Sequence, residues 1–249
     1  MPLDAQVAVF AGPDPTRGAL AIVAGLGRFL PAAGVSAPIE LVASAFDRTG
    51  RQRGLARQAF DVSGPAEGTV PATRTELVSR LDLPPGDYQV RVAVTGGSPA
   101  RSASVFADVT VPRFDAVPLS LSSVVLAATA GTQTAPRGFL EPLLPVLPTA
   151  RREFGRGDRV LAFLQVYQGL GRRDALRAVT PRTTVMDEQG KEVAAASAVL
   201  AAEAFATNRS GEQFFSVPVA PLPAGEYLLR IEATAGEYSA GRAVRFRMR

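Results

Sequence analysis

The 249 residues include no cysteine, no histidine, no tryptophan and a single lysine, Lys191. Without thiols there is no disulfide and no thiolate nucleophile. Without imidazole there is no Ser-His-Asp or Cys-His relay, and without either group every ordinary zinc site loses its ligands. The lack of cysteine does not assign a compartment, because a large enough core needs no cross-links in either one. A membrane-length apolar run is also missing. The longest uncharged stretch, Ala116–Pro136, contains Pro118 with several Ser, Thr and Gly, and reads as a buried strand followed by a loop. "MPLDAQVAVFAG" has neither a basic n-region nor a long apolar h-region, so no signal peptide is expected in this chain.

What is present suits buried cores. Hydrophobic residues make up 47% of the chain and charged residues 20%, with a mean hydropathy of +0.12, which excludes a disordered chain. The net charge of +4 comes almost entirely from arginine and accompanies abundant Ala, Gly and Pro, the mark of a GC-rich coding bias. It is also spread thinly, at +1 over residues 1–113 and +3 over residues 114–249. No dense basic stripe points to nucleic acid.

The chain repeats itself. "LPPGDYQVRVAVT" from Leu83 returns 139 residues later as "LPAGEYLLRIEAT" from Leu222. At that offset Val105, Ala107 and Val109 fall on Val244, Phe246 and Met248, alternating positions of a last strand whose other face carries Arg245, Arg247 and Arg249. Upstream, "FDRTGRQ" (Phe46 to Gln52) matches "MDEQGKE" (Met186 to Glu192), two hairpin turns with Asp at the start and Gly50 or Gly190 for positive φ. "ALAIVAGL" from Ala19 lies against "RVLAFLQV" from Arg159.

This pattern predicts an all-β chain of two tandem immunoglobulin/fibronectin-III-like β-sandwich domains, 1–113 and 114–249. The second would carry a Pro-rich, surface-hugging loop over 129–148. "AAASAVLAAEAFA" from Ala194 has helical propensity but stands where the repeat expects strand or irregular structure. In Leu-Pro-x-Gly-(Asp/Glu)-Tyr, the Pro and Gly turn the chain and the tyrosine starts a strand. Tyr88 and Tyr227 are therefore expected to pack inward and bond back to nearby backbone as tyrosine corners. Val90, Val92 and Val94, like Leu229, Ile231 and Ala233, would fill the core behind them.

"VPRFDAVPLSLSSVVLA" (Val111 to Ala127), "LPTARREFGRGDRVLAFLQVY" (Leu147 to Tyr167) and the two Gly-x-Tyr corners resemble the C-terminal region of von Willebrand factor A-related proteins of acidobacteria. The resemblance runs from about Ala5 onward. It implies an envelope or extracellular setting, a non-catalytic accessory role, and a protein partner or an upstream von Willebrand A domain. The metal-dependent Asp-x-Ser-x-Ser motif of that domain is not carried over. "DVSGP" from Asp61 lacks the second Ser and sits in a strand-turn context.

Arg151, Arg152, Arg156, Arg172 and Arg173, with Arg159 and Arg177, form a basic cluster diluted by Glu153, Asp158 and Asp174. It could meet an anionic polysaccharide or a membrane surface, although loops at opposite ends of the "VLAFLQVY" strand would split it into ordinary solvated charge. Arg156-Gly157-Asp158 spells the integrin tripeptide but leads straight into a strand, so a solvated turn is expected. "GLGRRD" at Gly169 lacks the spacing of a dinucleotide or P-loop fingerprint. Asp87 and Glu226 share a repeat position, and residues so related seldom meet in one cleft as a catalytic pair does.

Aromatic platforms for sugar stacking would fall to Tyr167 and Tyr238 alone. No catalytic, cofactor or metal residues are assigned. The expected role is a non-catalytic interaction or spacer module. The alternatives are a self-assembling structural subunit with strand-rich termini such as "AQVAVF", or a carbohydrate-active protein using Asp and Glu.

Overall fold

The computed structural model describes residues 2–14, 16–27, 35–64, 74–96, 101–128, 132–136, 138–141, 143–170 and 173–249. Almost all of the regular structure is strand. The first seven strands are β1 (Leu3–Ala11), β2 (Gly18–Gly27), β3 (Ser36–Asp47), β4 (Gln52–Ser63), β5 (Arg74–Leu83), β6 (Gly86–Gly96) and β7 (Arg101–Val111). Short strands follow: β8 (Ser120–Leu121), β9 (Val125–Ala128), β10 (Thr132–Ala135) and β11 (Glu153–Phe154). The chain closes with β12 (Val160–Tyr167), β13 (Thr180–Met186), β14 (Glu192–Ser197), β15 (Ser210–Val217), β16 (Gly225–Ala235) and β17 (Tyr238–Met248). No helix among the described residues is long and apolar enough to cross a membrane.

Two compact units emerge. One comprises Met1–Val9, Ala19–Pro112 and Thr129–Ala150; the other comprises Phe10–Gly18, Arg113–Ala128 and Arg151–Arg249. The boundary expected near residue 113 is one of several points where the chain passes from unit to unit. The Pro-rich stretch 129–148 belongs to the first unit, whereas the sequence reading attached it to the second. The reason is chemical as well as topological. β10 adds to β5 in parallel, and Leu140, Leu143 and Leu144 are apolar enough to be buried.

The first unit pairs a sheet of order β1-β2-β5-β10 with one of order β4-β3-β6-β7. Period-two alternation on β6 buries Val90, Val92 and Val94 and leaves Gln89 and Arg91 exposed. Leu81 and Leu83 of β5 reach the facing sheet at Gly54, where a Cβ would lie 2.9 Å from Leu83. A larger residue at position 54 would have to displace the end of the Leu83 side chain. Over Thr75–Ser79 β5 is buried on both faces. Its outer face carries Glu76 and Val78, over which the 134–148 segment forms an apolar cleft.

The second unit pairs order β11-β17-β16-β13-β14 with order β15-β12-β8, β9 also pairing with β12. Its core gathers Leu164, Val166, Leu229, Ile231, Phe246 and Met248. β12 is covered on its other face too. Phe163 stands between Phe10 and Phe214 at 6.4 and 5.0 Å, and the Tyr167 ring packs edge-on to Phe114 at 5.1 Å.

One detail departs from the sequence reading. The β6–β7 register pairs Tyr88 with Val109, and the β16–β17 register pairs Tyr227 with Phe246. Val109 therefore corresponds to Phe246 and Val111 to Met248, an offset two residues shorter than 139. The second hairpin turns through Gly236 and Glu237 alone, whereas four residues separate β6 from β7 in sequence. A two-residue change preserves which face each side chain takes, so the alternation read from sequence survives it. "AAASAVLAAEAFA" divides into the end of β14 and one 3-10 turn, Ala202–Phe205, that buries Phe205.

Candidate functional site

Both units build the same corner from the same local chemistry. The Asp47 carboxylate accepts from the amides of Thr49 and Arg51, and Asp187 does the same with Gln189 and Lys191. Gly50 and Gly190 both take φ +77°, a left-handed conformation that closes each turn and favours glycine. Each turn follows a bulge, at Ala45/Phe46 and at Val185/Met186. Beside it the tyrosine closes the corner. Tyr88 Oη donates to the Pro84 carbonyl at 2.9 Å and Tyr227 Oη to the Pro223 carbonyl at 3.0 Å.

A shallow cleft opens between turn and corner in each unit. The first, about 640 Å³, is lined by Asp47, Arg48, Asp87, Tyr88, Asp108 and Thr110, among others. The second, about 430 Å³, is lined by Asp187, Glu188, Glu226, Tyr227 and Arg245, among others. The scaffold is shared but the charge is not, since Arg245 takes the place of Asp108.

Two carboxylates of the first cleft, Asp47 and Asp87, are committed to structure. The Thr49 hydroxyl, then the Arg53 guanidinium, hold the Asp47 carboxyl well below the usual range. The Thr110 hydroxyl and the charge of Arg48 do the same for Asp87. In the second cleft Glu188 accepts the Glu226 amide at 2.9 Å, and Arg247 lies 3.6 Å from the Glu226 carboxylate. Here burial, then the charges of Asp187 and Glu188, push the Tyr227 hydroxyl up. Acid catalysis of glycoside cleavage needs a carboxyl kept protonated near neutrality. Asp47 and Asp87 are shifted the opposite way.

The basic cluster comes apart. β12 separates Arg151, Arg152, Arg156 and Arg159 from Arg173 and Arg177, roughly 23 Å along the strand. Arg172 lies outside the described residues. Arg151 is occupied: its guanidinium donates to Asp158 at 2.7 Å and to the Glu153 carbonyl, and lies 5.2 Å from the Phe154 ring centre. Arg152 donates to the Arg151 carbonyl. Arg156 and Arg173 are exposed.

The Asp of Arg156-Gly157-Asp158 is turned inward. Burial pushes its carboxyl up, but the Gly155 amide and Arg151 outweigh this and hold it below the usual range. Asp87 and Glu226 each serve their own unit. Tyr167 is buried, with Oη accepting the Ala11 amide and donating to Gln165, so it offers no stacking face; Tyr238 is exposed.

Sequence reasoning missed the polar groups that fasten distant segments. Glu76, 1% exposed, accepts from the Thr149 hydroxyl at 2.5 Å, the Ala150 amide at 2.9 Å and Arg74 Nε at 3.1 Å. Gln168 brackets the backbone of Arg177 through both ends of its amide. Arg209, at φ 59°, donates to the carbonyls of Gln168 and Asp174. No local pattern in "RTELVS" marks Glu76 for burial, since Arg, Thr and Ser flank it as they would an exposed strand.

No protein-family model matches the chain, and no curated protein matches it. Among solved structures, the chain is similar to a Bacteroides fragilis protein whose proposed activity is that of a beta-galactosidase. The identity is 9% and the TM-score 0.33, over 92% of this chain and 32% of that one. The chain spans about a third of that protein's length, and a likeness at this level carries no inference about activity.

Proposed function

We propose that this chain is a non-catalytic tandem β-sandwich that serves as an interaction or spacer module of a bacterial envelope or extracellular protein. One observation carries the reading. In the first corner cleft, where Asp47, Asp87 and Asp108 converge, Asp47 and Asp87 are spent on closing a turn and bracing a strand. The absence of histidine and cysteine from the sequence supports the same reading. The resemblance to the C-terminal region of von Willebrand factor A-related proteins supports the setting, and suggests a protein partner or an A domain as neighbour.

The test is a screen of the purified chain against ester, peptide and glycoside substrates. No turnover above a heat-denatured control is expected. Turnover abolished by one substitution, at Asp108 or any other carboxylate or serine, overturns the reading.

A further inference from the structure

A sheet edge exposes unpaired N–H and C=O groups, and stable proteins guard such edges with charge, proline, bulges, brevity or a covering segment. The second unit covers its own. β11 lies parallel to β17, with the Arg247 and Arg249 amides donating to the carbonyls of Arg152 and Phe154. β4 carries Arg53 and Arg57 and pairs with β3 through a bulge, and β14 is short.

β7 has neither a bulge nor brevity, and its only charges are Arg101 at its first position and Asp108. It runs eleven residues, pairs with β6 without a register shift, and ends its sheet. By correspondence with Arg247, the residues whose backbone groups point off this edge are Ser102, Ser104, Phe106, Asp108 and Thr110. Among the described residues nothing bonds to them there. The position matching Arg249 is Pro112, which has no N–H, so the clasp of the second unit is not reproduced.

We propose that this edge is a homotypic interface, in which β7 of two copies of the chain pair antiparallel about a two-fold axis at Phe106. Phe106 is the midpoint of Arg101–Val111 and is 58% exposed, its ring lying under the Arg91 guanidinium. A two-fold there overlaps the whole strand and sets Phe106 against Phe106. Ser104 then faces Asp108 and Ser102 faces Thr110, so no charge meets its like and each Asp108 carboxylate finds a hydroxyl. Register centres one residue to either side would leave Phe106 opposite Ser104 or Asp108 and leave strand ends unpaired. The inference goes beyond the proposed function and rests on the β7 edge alone.

The test uses the full chain. Sedimentation velocity from low micromolar to submillimolar concentration is expected to show a monomer–dimer equilibrium. Phe106→Lys, which sets two ammonium groups face to face, should weaken it at least about tenfold. Thermal melts should leave its fold unchanged, since the side chain is exposed. Because the chain has no cysteine, Phe106→Cys introduces a lone thiol, opposite its own copy at about 5.5 Å between Cα atoms, within disulfide reach. Mild oxidation should cross-link it. Ser102→Cys should cross-link only when mixed with Thr110→Cys. A chain that stays monomeric throughout, or a dimer that survives Phe106→Lys and resists cross-linking at 106, overturns the proposal.

Discussion

Glu76→Ala tests how the Pro-rich segment is held. In the intact protein one carboxylate oxygen serves three donors, two of them, Thr149 Oγ1 and the Ala150 amide, on the segment itself. Truncation removes this acceptor from both in a place closed to water, Thr149 being 1% exposed. Hydrogen bonds to a charged group contribute about 1.5–3 kcal/mol each. Arg74 keeps a second partner in Asp4 at 2.9 Å, so its loss is the smallest of the three. The expected cost is therefore about 3–5 kcal/mol, the range seen when one partner of a buried pair is removed.

Glu76→Gln keeps an acceptor oxygen and loses the charge, so it should cost roughly half as much. Urea unfolding of the full chain measures both. Limited proteolysis at the exposed Phe139 and Leu147 should quicken in the alanine variant first, because the fastening lost is local. An alanine variant within about 0.5 kcal/mol of wild type, the level of an ordinary surface change, would refute the reasoning.

Two further outcomes are expected. Tyr227→Phe deletes the hydroxyl bond to the Pro223 carbonyl and should destabilise the chain by about 1 kcal/mol. Equal urea midpoints for mutant and wild type would count against a bonded corner. The Asp47 carboxyl titrates lower in the folded chain than in the unfolded one. Its contribution is therefore complete above about pH 4 and lost as pH falls through the folded value. Stability measured against pH should decline less steeply below that point in Asp47→Asn, and parallel profiles would exclude the linkage.

Where a feature is made by residues near one another in sequence, the sequence by itself determined it. Asp47 bonds two and four residues ahead, Gly50 takes the conformation few other residues accept, and Tyr88 bonds four residues back. Short-range chemistry of that kind is written in the order of the letters, and so is the alternation that buries Val90, Val92 and Val94. Because both units rely on it, the all-β sandwich class and the twin corners were readable.

Tertiary structure alone decided the rest. Glu76 meets Thr149 across 73 residues, and β10 joins β5 although Pro136 follows it directly. The basic cluster divides because β12 runs between its halves, and the aspartate of the Arg-Gly-Asp triplet is spent on Arg151. Each outcome depends on which distant surfaces the folded chain brings within bonding distance. Closing so long a loop is governed by the sum of many weak contacts, and no local pattern of residues records that sum.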